Sequence, residues 1–237
     1  MKRRHPLLRF GLLAGLLLTA CSADPMNVII LSARAPGDKC EFDDDTKYVA
    51  GGSLDMRRYI VGTAPNQQTF FTGQYYQVFS WENNNQAIQT SVNGQVVDDG
   101  SGNSFIADTV VYDYQYSDPN VAFSSESANL RAVIPAQAET KDSSVPADLI
   151  QPGALAAIDA STSLDSGAVQ TLLVTFQIFG KLAAGTSQHT NKVSFPLSVY
   201  RSAPKNDPLD CPAQGLVISG GVCGIPGRDL PLSCTKP

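Results

Sequence analysis

The sequence predicts an all-β sandwich, and three observations carry that prediction. Several stretches alternate apolar and polar side chains with a period of two, the mark of strands with one buried face. Clusters of turn-forming residues separate them: Asn83-Asn84-Asn85, Asn93-Gly94, and the run from Asp98 to Asn103. Beyond the first twenty residues no stretch sustains a helical period.

Taken in chain order, strands are expected over Asn27 to Ala35, Lys47 to Met56, Gln74 to Glu82 and Ala87 to Val97. The strongest alternation begins at Val110, where Val110, Tyr112, Tyr114 and Tyr116 share one face. Leu130 to Ile134 follows, then a long connection from Glu139 to Gly167 with a short helical turn at Pro152 to Ile158. Leu172, Val174, Phe176 and Ile178 share the next face, and Val193, Phe195, Leu197 and Val199 the last. These final two strands flank the polar stretch Gly180 to Asn191 and read as a hairpin. Pro196 falls on the outer face and lacks an N–H, which suits an edge or a bulge. Short strands plus one long crossover predict an immunoglobulin-like Greek-key sandwich over residues 27–202.

The chain has 237 residues, a formal charge of −5 and only 16% charged side chains, with 43% hydrophobic. That composition excludes a disordered acidic chain, a coiled coil and a polytopic membrane protein. The acidic balance also speaks against nucleic acid as a partner, because phosphate binding needs a basic face. The length is ample for a buried core.

The N-terminus carries an address. Lys2, Arg3, Arg4 and Arg9 precede eleven uncharged residues from Phe10 to Ala20, a run too short to span a bilayer and suited to a signal peptide. Leu18-Thr19-Ala20-Cys21 resembles the lipobox of bacterial lipoproteins. That resemblance implies removal of residues 1–20, acylation of Cys21 (palmitate among the chains), and a short tether over 21–26. Two or more acyl chains make attachment durable, at about 0.8 kcal/mol per buried CH2. Ser22 stands where the family's inner-membrane retention signal is Asp, so the resemblance points to the outer membrane. Removing residues 1–20 takes away four cations and no acid, moving the charge from −5 to about −9. A lipid, not a basic patch, is then the expected anchor.

Cys40, Cys211, Cys223 and Cys234 remain, an even number in an exported chain, and predict two disulfides with three possible connectivities. If the first and last strands run parallel, their ends near Cys40 and Cys211 meet. This favours Cys40–Cys211 with Cys223–Cys234. Residues 203–237 hold six Pro, five Gly and three Cys. Such a tail buries little and is expected to be stapled to the sandwich by disulfides. The order of Cys40, Gly52-Ser-Leu-Asp55, Phe195-Pro196 and Cys223-Gly-Ile-Pro-Gly-Arg-Asp229 resembles uncharacterised outer-envelope lipoproteins of Gram-negative soil bacteria. That resemblance implies no activity.

Catalytic signatures are few. There is no nucleophile elbow, zinc helix or phosphate loop. His189 is the only His beyond the leader and sits in the polar stretch Thr186 to Asn191, read as a solvated hairpin loop. Glu41, Asp43, Asp44 and Asp45 crowd after Cys40; Asp43 and Asp45 are the weak calcium candidates of a chain expected to need no metal or cofactor. Aromatic residues gather from Phe70 to Trp81, and alternation puts Tyr75, Phe79 and Trp81 on one face. Those three are candidates for sugar stacking, with core packing the competing and favoured role.

The resulting expectation is a non-enzymatic outer-membrane lipoprotein. It serves as a structural or protein-interaction component of the envelope, with a glycan- or other ligand-binding module as the alternative and a hydrolase as a remote one.

Overall fold

The computed structural model describes residues 26–35, 47–56, 58–61, 68–71, 75–86, 89–93, 95–98, 103–138, 144–164, 168–201, 217–219, 229 and 233–235. Most of them are strand, and two sheets dominate. The first sheet contains β1 (Val28–Arg34), β2 (Tyr48–Val49), β6 (Tyr76–Asn83) and β11 (Ser144–Asp148), in the order β11-β6-β1-β2 with antiparallel pairing throughout. The second contains β3 (Gly52–Asp55), β9 (Phe105–Tyr116), β10 (Glu126–Ile134), β12 (Gln170–Leu182) and β14 (Val193–Tyr200), in the order β10-β9-β12-β14-β3. Its one parallel pair is β14 with β3, and the short β13 (Ser187–His189) adds to β12.

Three two-stranded ribbons complete the described strands: β4 (Arg58–Val61) with β5 (Gln68–Phe71), β7 (Gln89–Val92) with β8 (Gln95–Asp98), and β15 (Val217–Ser219) with β16 (Ser233–Thr235). The helix α1 (Pro152–Ala160) connects β11 in one sheet to β12 in the other.

The inward faces are those that alternation assigns. Tyr112 and Tyr114 of β9, Leu172 to Ile178 on alternate positions of β12, and Phe195, Leu197 and Val199 of β14 are buried. They meet Val28, Ile30, Phe79, Trp81 and Val145 of the other sheet in one continuous core. Phe79 stands at the junction, its ring 4.8 Å from Phe176 and 6.0 Å from Phe195, so the sheets pack face to face through aromatic contacts. Each such buried ring is worth about 1.5–3 kcal/mol.

Four expectations are corrected. The stretch Ala87 to Val97 is not one strand but includes the hairpin of β7 and β8, which turns at Asn93 (φ +54). The stretch Lys47 to Met56 is not one strand: it breaks at Ala50-Gly51, and its halves join different sheets. A Cβ on Gly51 would lie 2.8 Å from the Pro196 carbonyl oxygen, so this crossing needs glycine. The connection from Glu139 to Gly167 contains a strand, β11, which alternates Val145 and Ala147 inward. The stretch Thr186 to Asn191 is not a solvated loop, since Ser187 to His189 pair with β12 and the turn falls earlier, at Gly185 (φ +96). Pro196 faces outward and is exposed, and the parallel pairing with β3 begins one residue later, at Leu197.

Cys21, Cys40, Cys211, Cys223, Asp43 and Asp45 lie outside the described residues. Cys234 is placed only through the backbone pairing of β16, opposite Ile218.

Candidate functional site

β9 carries an irregularity that shapes the outer face of the six-stranded sheet. Thr109 pairs with Phe179, but the next pair is Ala107 with Gly180, so Asp108 is an extra residue. Its register with β10 slips at the same level, between Asn129 and Ala132. A bulge bends its strand and re-aims side chains. Here Ala107 and Val110 point inward, while Asp108 is exposed and Thr109 half-buried between them. Gly180 accommodates the slip: a Cβ there would sit 2.1 Å from the Ile106 carbonyl oxygen.

Opposite the bulge, β12 presents Phe179 to solvent, 39% exposed. β13 runs back beside it and sets His189 against Phe179, ring centroids 5.8 Å apart. Asp108, Thr109, Phe179, Ser187, Gln188 and His189 line a groove of about 340 Å³. A second depression of about 150 Å³ lies on the other side of Phe179, lined by Val111, Asp113, Thr175, Gln177 and Lys192. Phe179 is the ridge between them.

Hydrogen bonds hold the walls. The Asn85 side-chain amide donates to the Gln188 amide oxygen at 3.1 Å, and Asn27 and Asn83 bond to Asn85 in turn. The Gln177 amide donates to the Thr190 carbonyl at 2.7 Å, and the Ile178 N–H donates to the Thr190 hydroxyl. Asn191 spans to the other sheet. Its side chain accepts from the Ile30 N–H at 2.7 Å and donates to the Ile30 carbonyl at 3.0 Å, as a strand neighbour would. Asp113 accepts from the Ser125 hydroxyl. Among the described residues no hydrogen bond links Ser187, His189 and Asp108, so they offer the groove a separate hydroxyl, imidazole and carboxylate.

The stacking candidates lie elsewhere. Tyr75, Phe79 and Trp81 are 1%, 0% and 2% exposed, inside the core, where a sugar ring has no access to their faces. Tyr75 has a different partner. Its hydroxyl donates to both Asp229 carboxylate oxygens, at 3.0 and 3.1 Å. Asp229, at φ +57, also accepts from the Ser53 N–H at 2.7 Å and donates its own N–H to the Ser53 carbonyl. Asp229 and the strand Gly52 to Asp55, far apart in sequence, therefore meet at one carboxylate. Nearby, burial raises the Asp148 carboxyl above its ordinary value, partly offset by N–H donation from Ile150 and Tyr75. Burial likewise raises the Tyr112 and Tyr114 phenols.

Sequence reasoning missed Phe179 as a surface residue although the signal was present. Alternation from Leu172 to Ile178 leaves Phe179 on the polar face, a large apolar ring out of place. Asp108 gave no signal, because a bulge depends on the partner strands. The chain matches no protein-family model, no curated protein and no solved structure.

Proposed function

We propose that the protein is a lipid-anchored recognition module of the bacterial envelope that works by binding rather than by catalysis. Its working surface is the outer face of the six-stranded sheet. The observation that carries this reading is the groove about Phe179, where an exposed ring and several polar groups sit on paired, cross-braced strands. The order β11-β6-β1 facing β9-β12-β14, with β3 returning parallel to β14, supports an immunoglobulin-like Greek-key sandwich.

The lipobox-like Leu18-Thr19-Ala20-Cys21 supports an acyl anchor, and Ser22 an outer-membrane address, with a structural or protein-interaction role in the envelope. Cys40, Cys211, Cys223 and Cys234 form two disulfides that hold the tail, alongside the Asp229 contact.

Membrane fractionation of Cys21→Ser tests the anchor. The variant is expected in the soluble fraction, and continued membrane attachment would refute acylation at Cys21. An in-cell crosslinking pull-down, with Cys21→Ser as control, tests the role. An envelope component recovered only with the anchored form is expected; equal recovery with both forms would contradict it. Thiol labelling of the unfolded, unreduced protein is expected to find none of the four cysteines free, and two free thiols would refute the disulfide reading.

A further inference from the structure

We propose that the two depressions flanking Phe179 form one elongated seat for an oligosaccharide, an inference that rests on reading this face as the working surface. The larger depression, about 340 Å³, falls in the range of small-molecule sites, roughly 300–1,000 Å³. The smaller, about 150 Å³, continues it past the ring. A linear ligand of two or more units therefore gains contacts that a single unit cannot.

The chemistry of the lining selects the ligand class. β9 and β12 are paired along both sides, so the only strand edge an extended peptide could join at this face, among the described strands, is that of the three-residue β13. Recognition across the rest of the face must come from side chains. Those present are one flat apolar ring, the Asp108 and Asp113 carboxylates, the His189 imidazole, the Ser187 hydroxyl and the Lys192 ammonium. A ring that offers a C–H face with hydroxyl or N-acetyl groups around its rim complements this set: the face stacks on Phe179 and the rim reaches the polar groups. The two carboxylates against one lysine leave no positive excess for an anionic polymer. The bulge at Asp108 and the Asn85–Gln188 bond fix the groups before any ligand arrives, which lowers the ordering cost of binding.

The test is ligand-observed saturation-transfer NMR on the full chain in a non-glycosidic detergent, with chitotetraose and cellotetraose as probes. The expected result is transfer to ring C–H protons of at least one tetrasaccharide. It should weaken about tenfold or more in affinity in Phe179→Ala, persist in Phe179→Tyr, and be weaker for the corresponding monosaccharide. His189→Ala, an exposed position, provides the same reading should Phe179→Ala fail to fold. Absence of transfer to both tetrasaccharides overturns the proposal, as does undiminished transfer in folded Phe179→Ala. Transfer to an extended control peptide alone, lost in Phe179→Ala, overturns the saccharide assignment but leaves the face as the working surface.

Discussion

Asp229 joins a position near the C-terminus to β3 and to Tyr75 through one carboxylate. Its carboxylate accepts from the Ser53 N–H and from the buried Tyr75 hydroxyl, and a Cβ on Gly52 would meet that hydroxyl at 1.7 Å. Asp229→Ala removes the carboxylate that accepts from the buried Tyr75 hydroxyl and the Ser53 N–H, which is expected to cost about 1–3 kcal/mol in denaturant unfolding. Asp229→Asn keeps one acceptor oxygen and should lose less; equal losses would show that the carboxylate is not what matters. Asp148 gives a pH-dependent counterpart. Burial raises its folded pKa, so its contribution is fully favourable below the ordinary carboxylate value and is lost as pH rises through the folded one. Asp148→Asn is therefore expected to raise the melting temperature at neutral pH, with the gain vanishing in strong acid. A gain that persists in acid would contradict the burial account. Neither residue was legible in the sequence, since each acts on Tyr75, which lies 154 and 73 positions away.

The elements were legible where local periodicity decides them and illegible where a neighbour does. β9, β12 and β14 follow from alternation because one face is buried along their whole length. In the sequence β7 and β8 read as one strand over Ala87 to Val97, although Asn93-Gly94 within it is a turn signal and Asn93 takes φ +54, as a tight hairpin requires. β11 was missed because only Val145 and Ala147 mark its face and Pro146 interrupts it. The break between β2 and β3 was missed because it depends on the Pro196 backbone. α1 combines both cases. Pro152 opens it, but its first-turn N–H groups are capped from another element: Glu126 of β10 accepts from Gly153 at 2.9 Å and Ala154 at 2.6 Å. Glu126→Ala should cost about 0.5–2 kcal/mol in thermal unfolding, as loss of a cap does, with partial rescue by Glu126→Gln. A neutral Glu126→Ala would show that water replaces the carboxylate. Gly180→Ala should be worse, about 3 kcal/mol or more, because the methyl group meets backbone.

At the scale of the whole molecule, the division of labour follows from the two faces of the six-stranded sheet. The inner face supplies the aromatic core against Phe79, and its alternation was plain in the sequence. The outer face carries the groove, and there the sequence was a poor guide. In the cluster from Phe70 to Trp81, core packing is the favoured reading and stacking the lesser one; Tyr75, Phe79 and Trp81 do serve the core, while Phe179, isolated in the sequence, reaches solvent. Large aromatic residues bury more surface than any others, so a cluster of them marks a core before it marks a site.

Site-specific photo-crosslinking in cells shows whether recognition uses this outer face. A photoreactive residue would replace Lys181, at the groove rim where β12 pairs with Ser187, or Leu31, exposed on β1 in the opposite sheet. A reproducible envelope adduct is expected from position 181 and none from position 31. Adducts from position 31 alone, equal adducts from both, or none from position 181 would contradict it.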